Sequence, residues 1–263
     1  MKINHLILAL AACLTVNNFL YSQAFSQEIG ASFGPVALRS DYGVRGDSES
    51  YFGNIGLGVS LMHYINFSFR ADCNCYSSNT YFNDHFKIRT ELNYHFTNLD
   101  HFGEYADQDN ENGLKLRSMH GKAKVIEIGP SLEWHLKSIT DFDSERFRFS
   151  PFISLGVQYV AFSPEATTDL PGTLGASSNT YPKFIAPPGK EDYINTTSGS
   201  TYSIVWSAGT RYRLNKVSDL IFDAKWHTYG SDYIDGLNHD YPENKSNDWM
   251  FGISFGYIYY INQ

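Results

Sequence analysis

From Trp249 to Ile261 every second residue is apolar or aromatic: Trp249, Phe251, Ile253, Phe255, Tyr257, Tyr259 and Ile261. Between the apolar positions from Phe251 to Tyr257 lie only Gly252, Ser254 and Gly256, and no charge follows Asp248. A period of two marks a β-strand with two unlike faces. A water-soluble strand buries its apolar face and shows charge on the other. A strand with lipid on one side and a crowded barrel lumen on the other has this pattern.

The alternation recurs along the chain, and elsewhere the second face is charged. Phe86, Ile88, Thr90, Leu92, Tyr94 and Phe96 alternate with Lys87, Arg89, Glu91, Asn93 and His95. Ile126 to Leu136 alternates with Glu127, Gly129, Ser131, Glu133 and His135. Tyr202 to Tyr212 alternates with a face that ends in Arg211 and Arg213, and Leu220 to Trp226 with Ile221, Asp223, Lys225 and His227. Weaker segments run over Ile29–Leu38, Ile55–Leu61 and Phe149–Ala161, with Gly and Ser on one face. Together these predict an all-β chain: a closed, up-and-down antiparallel transmembrane β-barrel of eight strands, each reaching the ~9–11 residues of a tilted membrane strand. A hairpin inside 163–199 would raise the count to ten. Pro130 and Pro151 each lack a ladder donor and are expected at strand ends or bulges.

Long outer loops are expected near 40–50, 97–121, 163–199 and 230–247, with short turns near 138–146 and 215–219. The connection from His63 to His85 breaks this rule, by a longer second strand through Phe67 and Phe69 or by a small element at the turn end. It also holds Cys73-Asn74-Cys75, a candidate partner contact. Such a pair supplies at most two metal ligands.

Residues 1–26 have the features of a secretory signal: Lys2, an apolar run over Leu6–Val16, and small residues at Ala24 and Ser26. Leu10-Ala11-Ala12-Cys13 resembles a lipoprotein box, but apolar character continues to Leu20, which favours the plain signal. The barrel is then assigned to 27–263. A net charge of −8 argues against nucleic acid as a partner, and three cysteines are too few for a disulfide scaffold.

The inward charges are Lys87, Arg89, Glu91, His95, Glu127, Glu133, His135, Arg211, Arg213, Asp223, Lys225 and His227. Clustered carboxylates and histidines suggest catalysis or a metal. However, an eight-stranded lumen is only wide enough for side chains to fill. A salt-bridged plug is the expectation, with no catalytic residue, no metal and no cofactor. None of the nine histidines has Ser two residues on, so the His-x-Ser pair of one lipid-modifying barrel type is missing. No Gly-x-Gly-x-x-Gly opens a helix after a strand. The acidic stretch Asp100–Glu111 lacks the Gly and Glu positions of an EF-hand and reads as a solvated loop, with weak divalent binding near lipopolysaccharide as the alternative.

Ser254-Phe255-Gly256-Tyr257-Ile258-Tyr259-Tyr260-Ile261 resembles the β-signal of outer-membrane proteins. The resemblance implies insertion by the barrel-assembly machinery, with Ser254, Gly256, Tyr259 and Ile261 as signal positions. Gln27–Gly30, Tyr81–Lys87, Gly209–Tyr212, Asp235–Leu237, Glu243–Trp249 and Gly252–Tyr260 resemble a family of small barrels in Bacteroidota, notably flavobacteria. That family is similar to PorG-type proteins of the type IX secretion system. It implies a non-enzymatic barrel in the outer membrane of a Gram-negative bacterium, in contact with lipid and lipopolysaccharide. It also implies a scaffold role toward periplasmic secretion-ring proteins. The alternatives are a surface-facing adhesin or ligand-binding barrel working through 163–199, and, behind it, a lipid-modifying membrane enzyme.

Overall fold

The computed structural model describes residues 26–44, 47–67, 80–239 and 247–261. Its strands are β1 (Ser26–Arg39), β2 (Ile55–Asn66), β3 (Phe86–Asp100), β4 (Met119–His135), β5 (Phe149–Thr168), β6 (Gly199–Asn215), β7 (Ser218–Tyr229) and β8 (Trp249–Tyr260), and a short helix, α1 (Ser48–Gly53), lies between β1 and β2. They pair in sequence order into a closed antiparallel barrel, with β1 also bonded to β8. Closure leaves no sheet edge, so every strand ladder is paired on both sides. The count is eight. Residues 163–168 extend β5, and the rest of that loop holds a single 3-10 turn, Pro182–Phe184, and no added hairpin.

The barrel is inverted relative to a water-soluble one. Phe33, Leu57, Ile128, Leu155, Ile204 and Phe255 are all exposed on the outside, while the charged partners of the alternation are buried within. On β4 the apolar outer face runs from Ile126 through Ile128 and Leu132 to Trp134. Beyond Ile126 that face turns polar, at Lys124 and Lys122, which pair with Glu165 of β5. The β3–β4–β5 sheet therefore projects past the apolar belt, and the second and third loops begin later than the sequence pattern suggests. The ladder continues there through Thr97↔Ala123, Asp100↔His120 and Lys122↔Glu165. Trp206 and Trp226 stack across β6 and β7 on the belt, centroids 4.1 Å apart and 3° from parallel.

Pro130 is not at a strand end or bulge but in the middle of β4. It faces Thr90 of β3, and on the β5 side pairing lapses across Gly129 and Pro130 before resuming in the same register at Ser131↔Gly156. Proline lacks one donor, and here the loss falls on one neighbour only. Pro151 is the third residue of β5, at the strand end where the expectation places it. The seam needs small residues: a Cβ at Gly34 would lie 1.9 Å from the Ile253 carbonyl oxygen.

Strand β2 ends at Asn66, with Phe67 beyond it in a bend, and Phe69 lies outside the described residues. Of the long connection that follows, the described part is α2 (Tyr81–His85), capped by the Thr80 hydroxyl, which accepts from the Asn83 N–H. Asp84 ties it to α4 (Ile139–Asp143) in the neighbouring turn, accepting from the Thr140 N–H and hydroxyl at 3.0 and 2.6 Å. Cys73 and Cys75 lie outside the described residues, as do residues 1–25 of the expected signal.

Candidate functional site: a charged lumen beneath a cap of loops

The side chains Lys87, Arg89, Glu91, His95, Glu127, Glu133, His135, Arg211, Arg213, Asp223, Lys225 and His227 are all buried inside the barrel. Nine of them, with Glu28 and Asp219, form one connected network across the lumen, and His95, Glu127 and His227 form a second group. Lys87 donates to Glu28 Oε1 at 2.6 Å and Arg211 to Glu28 Oε2 at 2.6 Å. Arg211 also donates to Glu133 at 2.9 Å, and Arg89 reaches Glu133 at 3.2 Å and Asp223 at 2.9 Å. Lys225 pairs with Glu91, and Arg213 with Asp219 at 3.3 Å. His135 accepts or donates at Ser150 and lies 3.0 Å from Glu133. Buried charges persist only when paired and hydrogen-bonded, and the nine of the connected network are each paired. The arrangement ties strands together across the lumen, which at this strand count is narrow enough for side chains to fill.

Several members of the network escape the sequence pattern. Glu28 bridges β3 and β6, yet β1 shows no charged face around it. Tyr64 lies under the Arg211 guanidinium, 4.2 Å from ring centroid to carbon. Tyr229 donates to Glu127 at 2.6 Å and Tyr260 to Asp219 at 2.5 Å. Inward tyrosines on strands that also carry outward ones could have been found by counting residues from a charged neighbour. Among the β-signal positions, Tyr259 and Ile261 are on the outer face, and Ser254 borders a small inner cavity.

Above the charged layer the lumen is apolar, filled by Val36, Leu99, Met119, Val125, Val160, Met250 and their neighbours. The loops continue this core and form a ring. Loop 40–54 is tied to 230–248 where the Asp41 N–H donates to Asp235 Oδ2 at 2.8 Å. It is tied to 101–118 where the Gly43 N–H donates to His101 Nδ1 at 3.1 Å. In the second loop α3 (Glu111–Arg117) sends Lys115 to the Ser177 carbonyl of the third at 2.7 Å. The third meets the fourth at the Ile194↔Leu237 bridge. Burial raises the carboxyl groups of Asp235 and Asp248 well above the usual range, with nearby Asp41 adding to both shifts.

Within this cap lies a cleft of about 540 Å³. Its walls include Phe102, Tyr105, Tyr181 and Phe184, with Asp41, His101, Lys183 and His239 as polar groups. Tyr42 stacks on His101 at 4.7 Å, and His239 lies 3.3 Å from Asp41. Burial pushes the His101 imidazole from 6.5 down to about 3. With Nδ1 accepting from Gly43, the proton sits on Nε2, which has no hydrogen-bond partner. The folded cap therefore binds fewer protons than the unfolded loops between about pH 3 and 6.5, and cap stability falls as pH drops through that window. Asp235 and Asp248 act in the opposite sense, so the test is a difference. His101→Gln keeps the acceptor for Gly43 and should remove the acid loss, read as loop amide exchange at acid and neutral pH in variant and wild type.

No family model and no curated protein matches this sequence. Solved structures do. The chain is similar to Neisserial surface protein A, at 10% identity over 89% of this chain and 96% of that one, with a TM-score of 0.44. It is similar to the outer membrane protein OprG from Pseudomonas aeruginosa, at 15% identity over 90% and 96%, TM-score 0.42. It is similar to Ail, the attachment invasion locus protein of Yersinia pestis, at 11% identity over 90% and 99%, TM-score 0.40.

Proposed function

We propose that this chain is an outer-membrane barrel of a Gram-negative bacterium whose loop cap binds a small, partly apolar ligand at the cell surface. The observation that carries this reading is the cleft of about 540 Å³ inside a ring of mutually bonded loops. Concave sites of this size, walled by aromatic rings with a few polar groups, are the usual form of small-molecule sites. The apolar outer belt and the plugged lumen support a fixed membrane base that presents the cap. No reaction is assigned to it.

Tyr105 lines the cleft and is 54% exposed, so its removal should leave the fold intact. Ligand is sought by incubating the purified barrel with extracts of small molecules from the growth medium and identifying what co-elutes by mass spectrometry. Tyr105→Ala and the filling variant Asn112→Trp should each lose at least ~10-fold in affinity for it, as expected for a lost aromatic contact or an occluded pocket. Equal binding by both variants and wild type would remove the cap as the site.

A second reading is a scaffold for type IX secretion, acting through the turn end of the barrel. It is supported by the Asp84–Thr140 contacts, which join two connections there into one surface. Crosslinking from the periplasmic side would capture secretion-ring proteins if this reading holds, and only porins or lipoproteins if it does not.

A further inference from the structure

Of the buried carboxylates in the lumen, Glu127 differs from the others. Glu28, Glu91, Glu133, Asp219 and Asp223 each pair with Lys or Arg. Among the described residues Glu127 has no such partner. Around it are His227, whose Nδ1 is 2.7 Å from Oε2, His95, whose Nε2 is 3.9 Å from Oε1, and the hydroxyls of Tyr229 and Ser203. Hydroxyls carry no charge, so a buried carboxylate here calls for a cation.

His95 shows the same deficit from the other side. It is buried, and neither of its ring nitrogens has a hydrogen-bond partner. Buried polar atoms are almost always satisfied, so two orphan nitrogens on one ring require an explanation. The ring is held in place: a Cβ at Gly58 would meet His95 Nδ1 at 2.8 Å. One ligand atom from each of His95, Glu127 and His227 falls within 4.8 Å of the others. In a tetrahedral zinc site with bonds near ~2.0–2.2 Å, ligand atoms lie about 3.3 Å apart. Binding an ion would draw the three ligand atoms inward to that spacing. Beside them is a cavity of about 20 Å³ lined by His95 and His227, with Ser60 and Ser254 on its wall. That volume holds one water. Lys225 also lines it, but its ammonium is committed to Glu91 and Asp223.

We propose that His95, Glu127 and His227 bind one divalent transition-metal ion, with a water from the small cavity as fourth ligand. Two imidazoles and a carboxylate suit zinc and its first-row neighbours, whereas magnesium and calcium prefer oxygen ligands alone. The ion neutralises Glu127, satisfies His95, and cross-links β3, β4 and β7 at the floor of the apolar layer. The Tyr229 hydroxyl, donating to Glu127, orients the carboxylate. The ion would act as a staple beneath the loop cap. The sequence pattern treats these residues as part of the salt-bridged plug; the separation of Glu127 from every Lys and Arg among the described residues distinguishes them from it.

The test uses the untagged full barrel with Cys73→Ser and Cys75→Ser, so that those thiols cannot bind metal. The protein is stripped with chelator while unfolded, refolded in detergent with Zn²⁺ or Co²⁺, and dialysed. Metal content is read by mass spectrometry and folding by the heat-dependent gel shift of barrels. The expected result is about one ion per folded wild-type chain and a fall of at least ~10-fold in His227→Ala and in Glu127→Gln. Should a variant fail to fold, the Co²⁺ form of the parent decides alone, by visible bands of four-coordinate nitrogen and oxygen ligation. A folded parent with no retained ion, with Co²⁺ bands typical of six-coordinate hydrated ion, or with the same metal content as both folded variants would overturn the site.

Discussion

Arg211→Met should destabilise the barrel by about 3–5 kcal/mol, the cost of breaking a buried ion network by removing one partner. Arg211 is the one side chain that bridges Glu28 on β1 and Glu133 on β4, and it lies over the Tyr64 ring. The shorter, uncharged Met leaves Glu133 facing Arg89 and His135 and leaves Glu28 facing Lys87. Water cannot enter to help, because both carboxylates are fully buried. The measurement is urea unfolding of the barrel refolded in lipid vesicles, followed by tryptophan fluorescence. Adding Glu133→Gln to Arg211→Met should recover part of the loss, since it removes one orphaned charge. By contrast, Lys124→Ala breaks the exposed pair with Glu165 and should leave the midpoint unchanged. Equal effects from the two sites would mean that the lumen network does not hold the barrel closed.

The contrast between these two ion pairs also explains what could be read in the sequence. On β3, β4, β6 and β7 one face is charged and the other apolar, so Lys87, Glu127, Arg211 and Asp223 give away both the strand and its direction. On β1 and β8 the inward face is Gly, Ser and apolar residues. Glu28 there looks like an isolated charge, and its part in the network depends on the register β1 takes against β2 and β8. Pro130 misleads for a related reason. A single strand's pattern does not say which neighbour its missing donor would have faced, and one lapse in one ladder costs little. The loop cap was not legible at all. Its ring is made by backbone groups meeting single side chains, such as Gly43 with His101 and Asp41 with Asp235, and such contacts have no period. The special position of Glu127 is also invisible in one dimension. The alternation places it inside, but only the closed barrel shows that Lys225 and Arg89 are taken up by other acids.

The apolar belt makes the other large prediction. Leu155 sits on the outer face of β5, 62% exposed, between Ile153 and Val157, and pairs across the sheet with Trp206. Four residues toward the loop end, Tyr159 is 58% exposed, near the point where the neighbouring strand turns from Ile126 to Lys124. The two side chains are almost equally exposed, so in water an Arg at either would be harmless. In a bilayer their depths differ. Leu155→Arg should cost about 2–4 kcal/mol and Tyr159→Arg about 0–1, because the penalty for a cation falls from the midplane to the interface. The same unfolding experiment in vesicles measures both. In detergent micelles, where a cation finds water more easily, the gap between them should shrink. If the two variants unfolded alike in vesicles, the outward leucines and isoleucines would not mark a bilayer, and they would instead be an interface covered by protein.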